Sequence, residues 1–511
     1  MTSASRRARL GRRTDFLGVD VGAALDLVGT VLRYLSLSFL FPAALAIGYD
    51  ESVWPFLVAA AITVVVGRAL ELVQPGEAAV GAREGFLVVV LTWLLVPALG
   101  ALPYLLSGED QLARPIDAYF EAMSGFSTTS SSVVTDVEAL DRSIAMWRQF
   151  TVWLGGIGIL VLALAVLPRL RVGGRQFFEV EMPGPEQDLT STIRDSVRRF
   201  IVLYFGITLT MIVVLTAVGW SGLDQRMNLY EAVAHTFTTM GTGGFSTKAA
   251  SVGAFGATTQ WVIAFFLIVA GTNYALMFFA LARRRPQAFG RDEEFRLYLA
   301  VIAIAAVVIL IELVRADIAA GEAAVRHAVF QSASIITTTG FATDDFNRWP
   351  ELAAVTILAL MFFGPSAGST GGSIKVVRHL LIGRILRRNL VLTVHPELVT
   401  PIRLNGIRVD ERTLSSVIVF VLLYIGCFAL GTFLLVADAA RSGLELRVFD
   451  AIAAAATTLG NCGPGFGFAG PLGSFEPFSD VSTVLMTLLM FLGRLEIIPV
   501  AVLLTRSYWR A

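Results

Sequence analysis

Residues 331–341 read QSASIITTTGF, and this stretch decides the fold. It is amphipathic, too short to cross a bilayer, and lies between two long apolar segments. Three other stretches share its layout: EAMSGFSTTSSSVV at 121–134, EAVAHTFTTMGTGGFST at 231–247 and AIAAAATTLGNCGPGF at 451–466. We interpret the four as copies of one device, a re-entrant half-helix followed by an extended loop.

The membrane imposes one constraint on all four loops. Backbone that is neither helical nor paired in a sheet cannot face lipid, because its N–H and C=O groups would lack partners. Such loops survive at membrane depth when they are buried in protein or line water. Four of them around one axis would present rings of carbonyl oxygens, which can replace the hydration shell of an alkali cation. A single Gly/Thr turn between helices would mean little, but four copies favour this interpretation.

Composition places the chain in the membrane. Of its 511 residues, 55% are hydrophobic and only 16% are charged, whereas soluble domains carry about 25% charged residues. The net charge of +0 suggests no nucleic-acid partner, and the bilayer is the expected environment. Two cysteines and four scattered histidines predict neither a disulfide framework nor a metal site.

Ten segments approach the roughly 20 apolar residues that a spanning helix needs. Two of them, at about 25–49 and 53–73, precede the first loop and lie outside the repeat. The others flank the loops in pairs, at about 86–106 and 146–167, 200–220 and 261–281, 297–314 and 352–381, and 414–436 and 481–504.

The predicted fold is an all-α polytopic membrane protein. It has two N-terminal spans and four pseudo-symmetric helix–pore loop–helix repeats around a central ion pore. The predicted units are an N-terminal part and four repeats, at 1–78, 79–175, 176–290, 291–395 and 396–511.

Loop charge predicts the orientation. The segments after the second span of each repeat are basic, whereas those around the half-helices carry Asp and Glu. Because positive charge stays in the cytoplasm, both termini should be cytoplasmic and the four loops should open to the outside of the cell membrane. The basic residues 5–16 have no signal-peptide cleavage pattern after them and read as a cytoplasmic anchor.

A second glycine-rich stretch interrupts the second span of the third repeat. Four glycines and a proline fall within residues 364–373, too many for an ordinary helix. Because apolar sequence resumes on both sides, we predict a movable barrier within the membrane, below the loops. Its residues are Gly364, Gly368, Gly371 and Gly372, with Lys375 at the edge. The other interpretation is a surface loop between two short helices.

Arg494 and Glu496 lie deep in the last apolar span, in MFLGRLEIIPV. Charge inside a membrane is costly and usually faces a cavity or a partner. We predict that Arg494 points at the pore axis and belongs to the gate. The other interpretation is a structural ion pair with a carboxylate such as Glu496.

These motifs resemble those of the TrkH/KtrB/HKT superfamily of cation transporters, most closely its TrkH branch. The specific matches are TVWLGGIGILVLALAVLP, FFGPSAGSTGGSIKVVR and LMFLGRLEIIPV, supported by TTMGTGGFST and LGNCGPGFG. The resemblance implies a potassium-conducting subunit without a covalently bound cofactor, which forms a homodimer. It also implies a cytoplasmic nucleotide-binding regulatory partner of the TrkA/KtrA type, and the segment at 180–200 is a candidate for its docking.

The resemblance also implies which residues hold K⁺. The carbonyls expected on the axis belong to Thr129, Gly243, Thr339 and Cys462, preceded by Thr128, Thr242, Thr338 and Asn461. The glycines that follow them are Gly244, Gly340 and Gly463. The register of the second loop is open, because GTGG offers two choices.

Ser130 departs from this pattern, because it stands where TrkH proteins usually have glycine. Serine at that position accompanies sodium preference in plant HKT members, so a Na⁺-permeable or Na⁺-selective pore is an alternative. The serine Cβ disfavours left-handed backbone angles by about 1–2 kcal/mol. We therefore expect the first loop to turn its carbonyl away from the axis.

Two other classes of protein fit the sequence less well. An intramembrane enzyme would need a nucleophile with a base or a metal set, and the serines of GPSAGST have no such partners in sequence. We therefore expect no enzymatic activity. A proton-coupled secondary transporter would want carboxylates in mid-membrane and, more often, inverted repeats. Glu496 is its one clear candidate residue.

Overall fold

The computed structural model describes residues 19–73, 81–165 and 189–510. Within these ranges the protein is mainly helical, which confirms the predicted fold class. The basic N-terminus and residues 180–188 of the candidate docking segment at 180–200 lie outside the described residues.

The N-terminal part is a helical pair. Helix α1 (Val21–Leu35) continues through a 3-10 turn into α2 (Leu40–Gly48), and α3 (Trp54–Glu71) returns beside it. Helices α1 and α3 make close contact at Gly29 and Gly67, where a Cβ on Gly29 would lie 2.5 Å from the Gly67 carbonyl oxygen. Small residues let membrane helices approach this closely.

Four helical repeats follow, each with an outer helix, a half-helix, an extended loop and an inner helix. The first comprises α4 (Ala82–Gly100), α5 (Leu102–Leu106), half-helix α6 (Pro115–Phe126) and inner helix α7 (Arg142–Ala165). The second comprises α8 (Leu189–Trp220), half-helix α9 (Leu229–Gly241) and inner helices α10 (Ala257–Ala270) and α11 (Tyr274–Ala282).

The last two repeats have the same order. The third comprises α12 (Gln287–Arg291), α13 (Glu293–Arg315), half-helix α14 (Gly321–Ile336) and inner helices α15 (Glu351–Leu360) and α16 (Val376–Val394). The fourth comprises α17 (Glu411–Ser442), half-helix α18 (Val448–Gly460), inner helices α19 (Asp480–Arg494) and α20 (Ile498–Leu503), and the terminal α21 (Arg506–Trp509).

Packing of inner helices on half-helices closes the repeats into a ring. Inner helix α7 packs on half-helices α6 and α9, and α10 packs on α9 and α14. Helix α19 packs on its own half-helix α18 and on α6 of the first repeat. Between the third and fourth repeats, Ile357 and Ala453 share one buried apolar cluster. The chain therefore returns to its first repeat, as fourfold pseudosymmetry requires.

The inner spans are less regular than predicted. Among the described helices, six are long and apolar enough to cross a membrane, or seven if the bent pair α10 and α11 counts as one span. That pair turns by 96° at its break, and α19 ends at Arg494 before α20 begins. The predicted continuous spans at 261–281 and 481–504 were therefore wrong. Gly271 caps the end of α10 and Asn273 the start of α11, and the Leu495–Ile497 turn separates α19 from α20.

A small antiparallel hairpin was not predicted. Strands β1 (Arg403–Leu404) and β2 (Ile407–Arg408) pair across the turn at Asn405 and Gly406. The Asn405 backbone and side chain bind Glu293 at the start of α13, with the Asn405 N–H 2.8 Å from the Glu293 carboxylate. The hairpin thus joins the segment before the fourth repeat to the outer helix of the third.

The turn between α2 and α3 holds the first inner helix. Both oxygens of Glu51 accept backbone N–H groups at the start of α7, from Arg142 and Ser143, each at 2.8 Å. Glu109 accepts the N–H of Asp141 at 2.9 Å beside them, and burial raises the pKa values of the Glu109 and Asp141 carboxyl groups. Carboxylates at a helix N-terminus satisfy donors that have no intrahelical partner.

We expect Glu51→Ala to lower the free energy of unfolding by about 1 kcal/mol, the usual effect of losing an N-terminal cap. The thermal midpoint in detergent, followed by tryptophan fluorescence, should fall accordingly. Glu445→Ala, in the exposed loop before α18, is the matched control and should leave the midpoint unchanged. Equal midpoints for the two variants would contradict this role of Glu51.

Candidate functional site

The four half-helices end in the same backbone conformation. Within two residues of the end of each half-helix, one residue has a positive φ: +56° at Thr128, +55° at Thr242, +57° at Thr338 and +55° at Asn461. L-residues adopt this left-handed region uncommonly. Four instances at equivalent positions therefore indicate one shared turn, which ends each half-helix before the extended loop begins.

A repeated hydrogen bond fixes the register of the loops. In each loop the residue after the left-handed one donates its N–H to the carbonyl five residues earlier. The pairs are Thr129 to Ser124 (2.8 Å), Gly243 to Thr238, Thr339 to Ser334 and Cys462 to Thr457 (2.9 Å each). This pattern makes Gly243 equivalent to Thr129, Thr339 and Cys462, in the register assumed for the second loop.

Successive loops touch through glycines and carbonyl oxygens. A Cβ on Gly244 would lie 2.4 Å from the Thr339 oxygen, one on Gly340 2.0 Å from the Cys462 oxygen, and one on Gly463 2.8 Å from the Thr129 oxygen. The loops therefore follow one another in the order second, third, fourth and first. At these contacts a larger residue would push against backbone of the next loop, so glycine is needed for close approach.

Ser130 occupies the position of these glycines but does not behave as expected. Its φ is +61°, beside +82° at Gly340 and +103° at Gly463, so the first loop keeps the left-handed turn. The premise that the serine Cβ would keep the first loop out of the left-handed region was wrong, and the direction of its carbonyl stays a prediction. Gly243 of the second loop provides the room, because a Cβ there would lie 2.8 Å from the Ser130 hydroxyl. The hydroxyl is buried and has no hydrogen-bond partner among the described residues.

The second loop departs from the pattern instead. Gly244 has no positive φ, although glycine adopts such angles without penalty. The first and third loops have a further hydrogen bond, from Ser130 to the Ser124 carbonyl and from Gly340 to the Ser334 carbonyl, each at 3.2 Å.

Polar side chains on three half-helices brace the loops from behind, at the same helical position. Gln331 donates to the carbonyl of Phe341 at 3.3 Å, and the His235 ring bonds the Ser246 hydroxyl at 2.9 Å. In the first repeat Glu121 accepts the Ser132 hydroxyl and the Val133 N–H, at 2.9 and 3.1 Å.

A buried arginine adds to the brace of the first loop. Arg148 of α7 pairs with Glu121 at 2.6 Å, and both side chains are at most 2% exposed. The guanidinium lies 4.3 Å from the ring centroid of Phe245, which follows Gly244 in the second loop. Arg148 thus contacts the first and second loops at once.

The glycine-rich break of the third repeat is buried under the loops. Gly364, Gly371, Gly372 and Lys375 are buried, whereas Gly368 is half-buried. The Gly372 N–H donates to the Thr338 hydroxyl at 2.8 Å, directly at the end of half-helix α14. The interpretation as a surface loop between two helices was therefore wrong.

Other repeats hold the same segment. Two bonds join it to the break in the inner helix of the second repeat. The Ser366 N–H donates to the Gly271 carbonyl at 3.0 Å, and the Tyr274 N–H donates to the Gly368 carbonyl at 3.3 Å. The buried carboxylate of Glu294 accepts the Ala367 N–H at 2.6 Å.

Arg494 connects the segment to two further repeats. Its guanidinium donates to the Thr370 carbonyl at 2.8 Å and to the Gly155 carbonyl of α7 at 2.9 Å, and the residue is 2% exposed. Glu496 pairs instead with Arg378, so the interpretation of an Arg494–Glu496 ion pair was wrong.

Comparison with known proteins gives this arrangement a context. The TrkH cation transport protein family matches residues 55–510 of this chain. The chain belongs to the TrkH family.

Two relatives and one solved structure illustrate the similarity. The Escherichia coli K12 Trk system potassium uptake protein TrkH is 36% identical over 433 residues, 84% of this chain and 86% of that protein. Its Halomonas elongata counterpart is 32% identical over 492 residues, 95% of this chain and 98% of that protein. The crystal structure of the potassium transporter TrkH from Vibrio parahaemolyticus superposes with a TM-score of 0.85 at 31% identity, covering 96% of this chain and 100% of that chain.

The electrostatics of the TrkH-family site favour a cation. All four half-helices direct their C-terminal ends at the loops, and each such end carries about half a negative charge. The closely packed groups there are carbonyl oxygens, which suit an alkali cation. Within the described residues, no group of His, Cys, Asp and Glu has the arrangement of a metal-ion site.

Some residues of this TrkH-family site were missed from the sequence. Arg148 is a charge within an apolar span, the same signal that identified Arg494, and could have been found in that way. Glu294 and Asn273 could not, because each lies near the glycine-rich segment at 364–373 only through the fold.

Arg148→Met should destabilise the protein by about 3–5 kcal/mol, because it leaves Glu121 charged, buried and unpaired. We expect a lower thermal midpoint in detergent and less folded protein in the membrane. Arg348→Met removes an exposed arginine in the loop after α14 and is the control, with an effect within about 0.5 kcal/mol. Indistinguishable midpoints for the two variants would rule out a bracing role for Arg148.

Proposed function

We propose that the chain is the ion-conducting membrane subunit of a Trk-type potassium uptake system. The observation that carries this proposal is the fourfold repeat of the loop backbone, with equivalent hydrogen bonds and a carbonyl oxygen against each successive glycine. The relatives' designation as Trk system potassium uptake proteins supports potassium as the ion.

The proposed filter consists of backbone oxygens from the four loops. The carbonyls on the axis are those of Thr129, Gly243, Thr339 and Cys462. They could replace the water ligands of K⁺ as it enters. The residues on either side of them would set the spacing of these carbonyls. The left-handed residues before them are Thr128, Thr242, Thr338 and Asn461, and the close-packed residues after them are Ser130, Gly244, Gly340 and Gly463.

Current measurements test this function. Purified protein in a planar bilayer should carry a cation current along its gradient, with a reversal potential in mixed potassium and sodium that favours potassium. A tightly proton-coupled carrier would barely conduct under a pure potassium gradient. No current, or a current that reverses at the proton potential, would reject the proposal.

Sodium permeation is the second candidate property, and Ser130 motivates it. Its hydroxyl is buried, lies against Gly243 of the proposed filter and has no hydrogen-bond partner in the part of the chain that the structure describes. A movable oxygen in this position could follow a smaller cation more closely than a fixed carbonyl can. We therefore expect measurable sodium current beside the potassium current.

Ser130→Gly should raise the potassium-to-sodium permeability ratio, because it removes this hydroxyl and relieves a left-handed residue that costs about 1–2 kcal/mol. Gly340→Ser should lower the ratio or abolish transport, since its Cβ would press on the Cys462 carbonyl. Asp317→Gly relieves a left-handed residue in an exposed turn and is the control, with no change in the ratio. An unchanged ratio in conducting Ser130→Gly would remove Ser130 from the filter.

We further propose that the segment around Gly364, Gly368, Gly371 and Gly372 is the gate, with Lys375 and Arg494 holding it. The segment lies buried against the end of half-helix α14, and Arg494 connects it to the first repeat. The Lys375 ammonium bonds the Gly371 carbonyl and so closes the segment on itself. Opening would require the segment to leave the space below the filter.

Arg494→Ala should increase basal potassium current. A guanidinium stays charged in proteins, and two unit charges about 8 Å apart interact by roughly 2 kcal/mol at an effective dielectric near 20, enough to slow passage about thirtyfold. The substitution also frees the Thr370 carbonyl. Exposed Arg506→Ala is the control. If a folded Arg494→Ala protein conducts like the parent, Arg494 is structural.

The remaining expectations belong to the same proposal. The chain is a multi-pass membrane protein, and we propose that it lies in the cell membrane with both termini in the cytoplasm. Its partners would be a second copy and a nucleotide-binding subunit of the TrkA/KtrA type. The unit boundaries at 78, 175, 290 and 395 stay predictions.

A further inference from the structure

We infer that Asn461 is a positioning residue whose side chain fixes the first filter loop against the fourth. Its amide nitrogen donates to the Thr129 hydroxyl and to the Met490 carbonyl of inner helix α19, both at 2.9 Å. This inference rests on the proposed function, because Thr129 supplies one of the proposed filter carbonyls.

The position of Asn461 in the ring gives this bond its importance. The first and fourth loops come from opposite ends of the repeat array, so no short connection in sequence joins them. A Cβ on Gly463 would lie 2.8 Å from the Thr129 oxygen, which places the two loops in direct contact. The Asn461 amide crosses this contact and anchors both loops to a helix.

The other three loops have threonine at this position, and threonine does not reach as far. The Thr242 hydroxyl bonds the carbonyl of the preceding Gly241 at 2.7 Å, and the Thr338 hydroxyl accepts from the gate segment. Among the four equivalent residues, Asn461 is the one whose side chain donates to a neighbouring filter loop.

The bond holds Thr129 through its side chain while its carbonyl stays available. The Thr129 hydroxyl also lies 2.7 Å from the Ser127 hydroxyl, so it is held from two sides. Without the amide, the first loop can shift relative to the fourth, and a ring that can contract accommodates the smaller sodium ion better. Asn461 would therefore act on discrimination between the two ions.

Asn461→Thr tests this with little risk to the backbone. Threonine already adopts the same angle at three equivalent positions, with φ from +55° to +57°. Thr129→Val removes the acceptor from the other side and keeps the carbonyl. Each substitution should lower the potassium-to-sodium permeability ratio roughly fivefold, the factor that corresponds to one ordinary hydrogen bond.

The double variant separates a shared bond from two independent effects. If the bond is responsible, Asn461→Thr combined with Thr129→Val should lower the ratio no more than either single change. Thr432→Val removes a hydroxyl from outer helix α17 of the fourth repeat, where it bonds the Phe428 carbonyl, and should leave the ratio unchanged. Reversal potentials in bi-ionic solutions give the ratio, and gel filtration checks folding.

Several results would overturn the inference. An unchanged ratio in Asn461→Thr or in Thr129→Val, with a selective parent, rejects the positioning role and leaves the proposed function intact. Effects that multiply in the double variant show that the two residues act separately. Should Asn461→Thr fail to fold, Thr129→Val alone decides. A parent protein without cation current would reject the proposed function, and the inference with it.

Discussion

Backbone carbonyls that lack a partner inside a membrane are the constraint on which this structure depends. Lipid cannot satisfy them, so the loops that carry them must be enclosed by protein. Each half-helix ends in a left-handed residue and returns one N–H to the carbonyl five residues earlier, which uses up donors that the loop would otherwise leave buried. Carbonyl oxygens of the loops pack against the glycines of neighbouring loops, and a cation is the ligand that we propose for them.

The enclosure is built from the same helices that make the repeat. Inner helices pack on half-helices of their own and the next repeat, and the last packs back on the first. Behind the loops the braces differ: a carboxylate and arginine in the first, histidine in the second, glutamine in the third. The backbone geometry is shared although the chemistry that supports it is not, because each brace needs only to reach one loop.

The sequence predicted the repeated features well and the single features less well. Four half-helices and their loops follow from periodic hydrophobicity and small residues, which are local properties. The breaks at Gly271 and at Leu495 were missed, since each is only about three residues long and apolar sequence resumes on both sides. Ser130 was assigned the wrong conformation because the space that it needs is provided by Gly243, more than a hundred residues away in the chain.

The unequal breaks in the inner helices have a consequence for how such a pore can be assembled. The first inner helix has no break within its described length, the second bends by 96°, the fourth is interrupted between Arg494 and Ile498, and the third carries a long buried segment. That segment lies beneath the loops and is bonded by residues of the second and fourth repeats, and Arg494 connects it to Gly155 of the first. Four identical subunits would each bring the same insertion to one axis, so that four copies would meet beneath the loops. Covalent linkage of the repeats lets one of them supply the insertion while the other three give it room, so the asymmetry depends on having one chain.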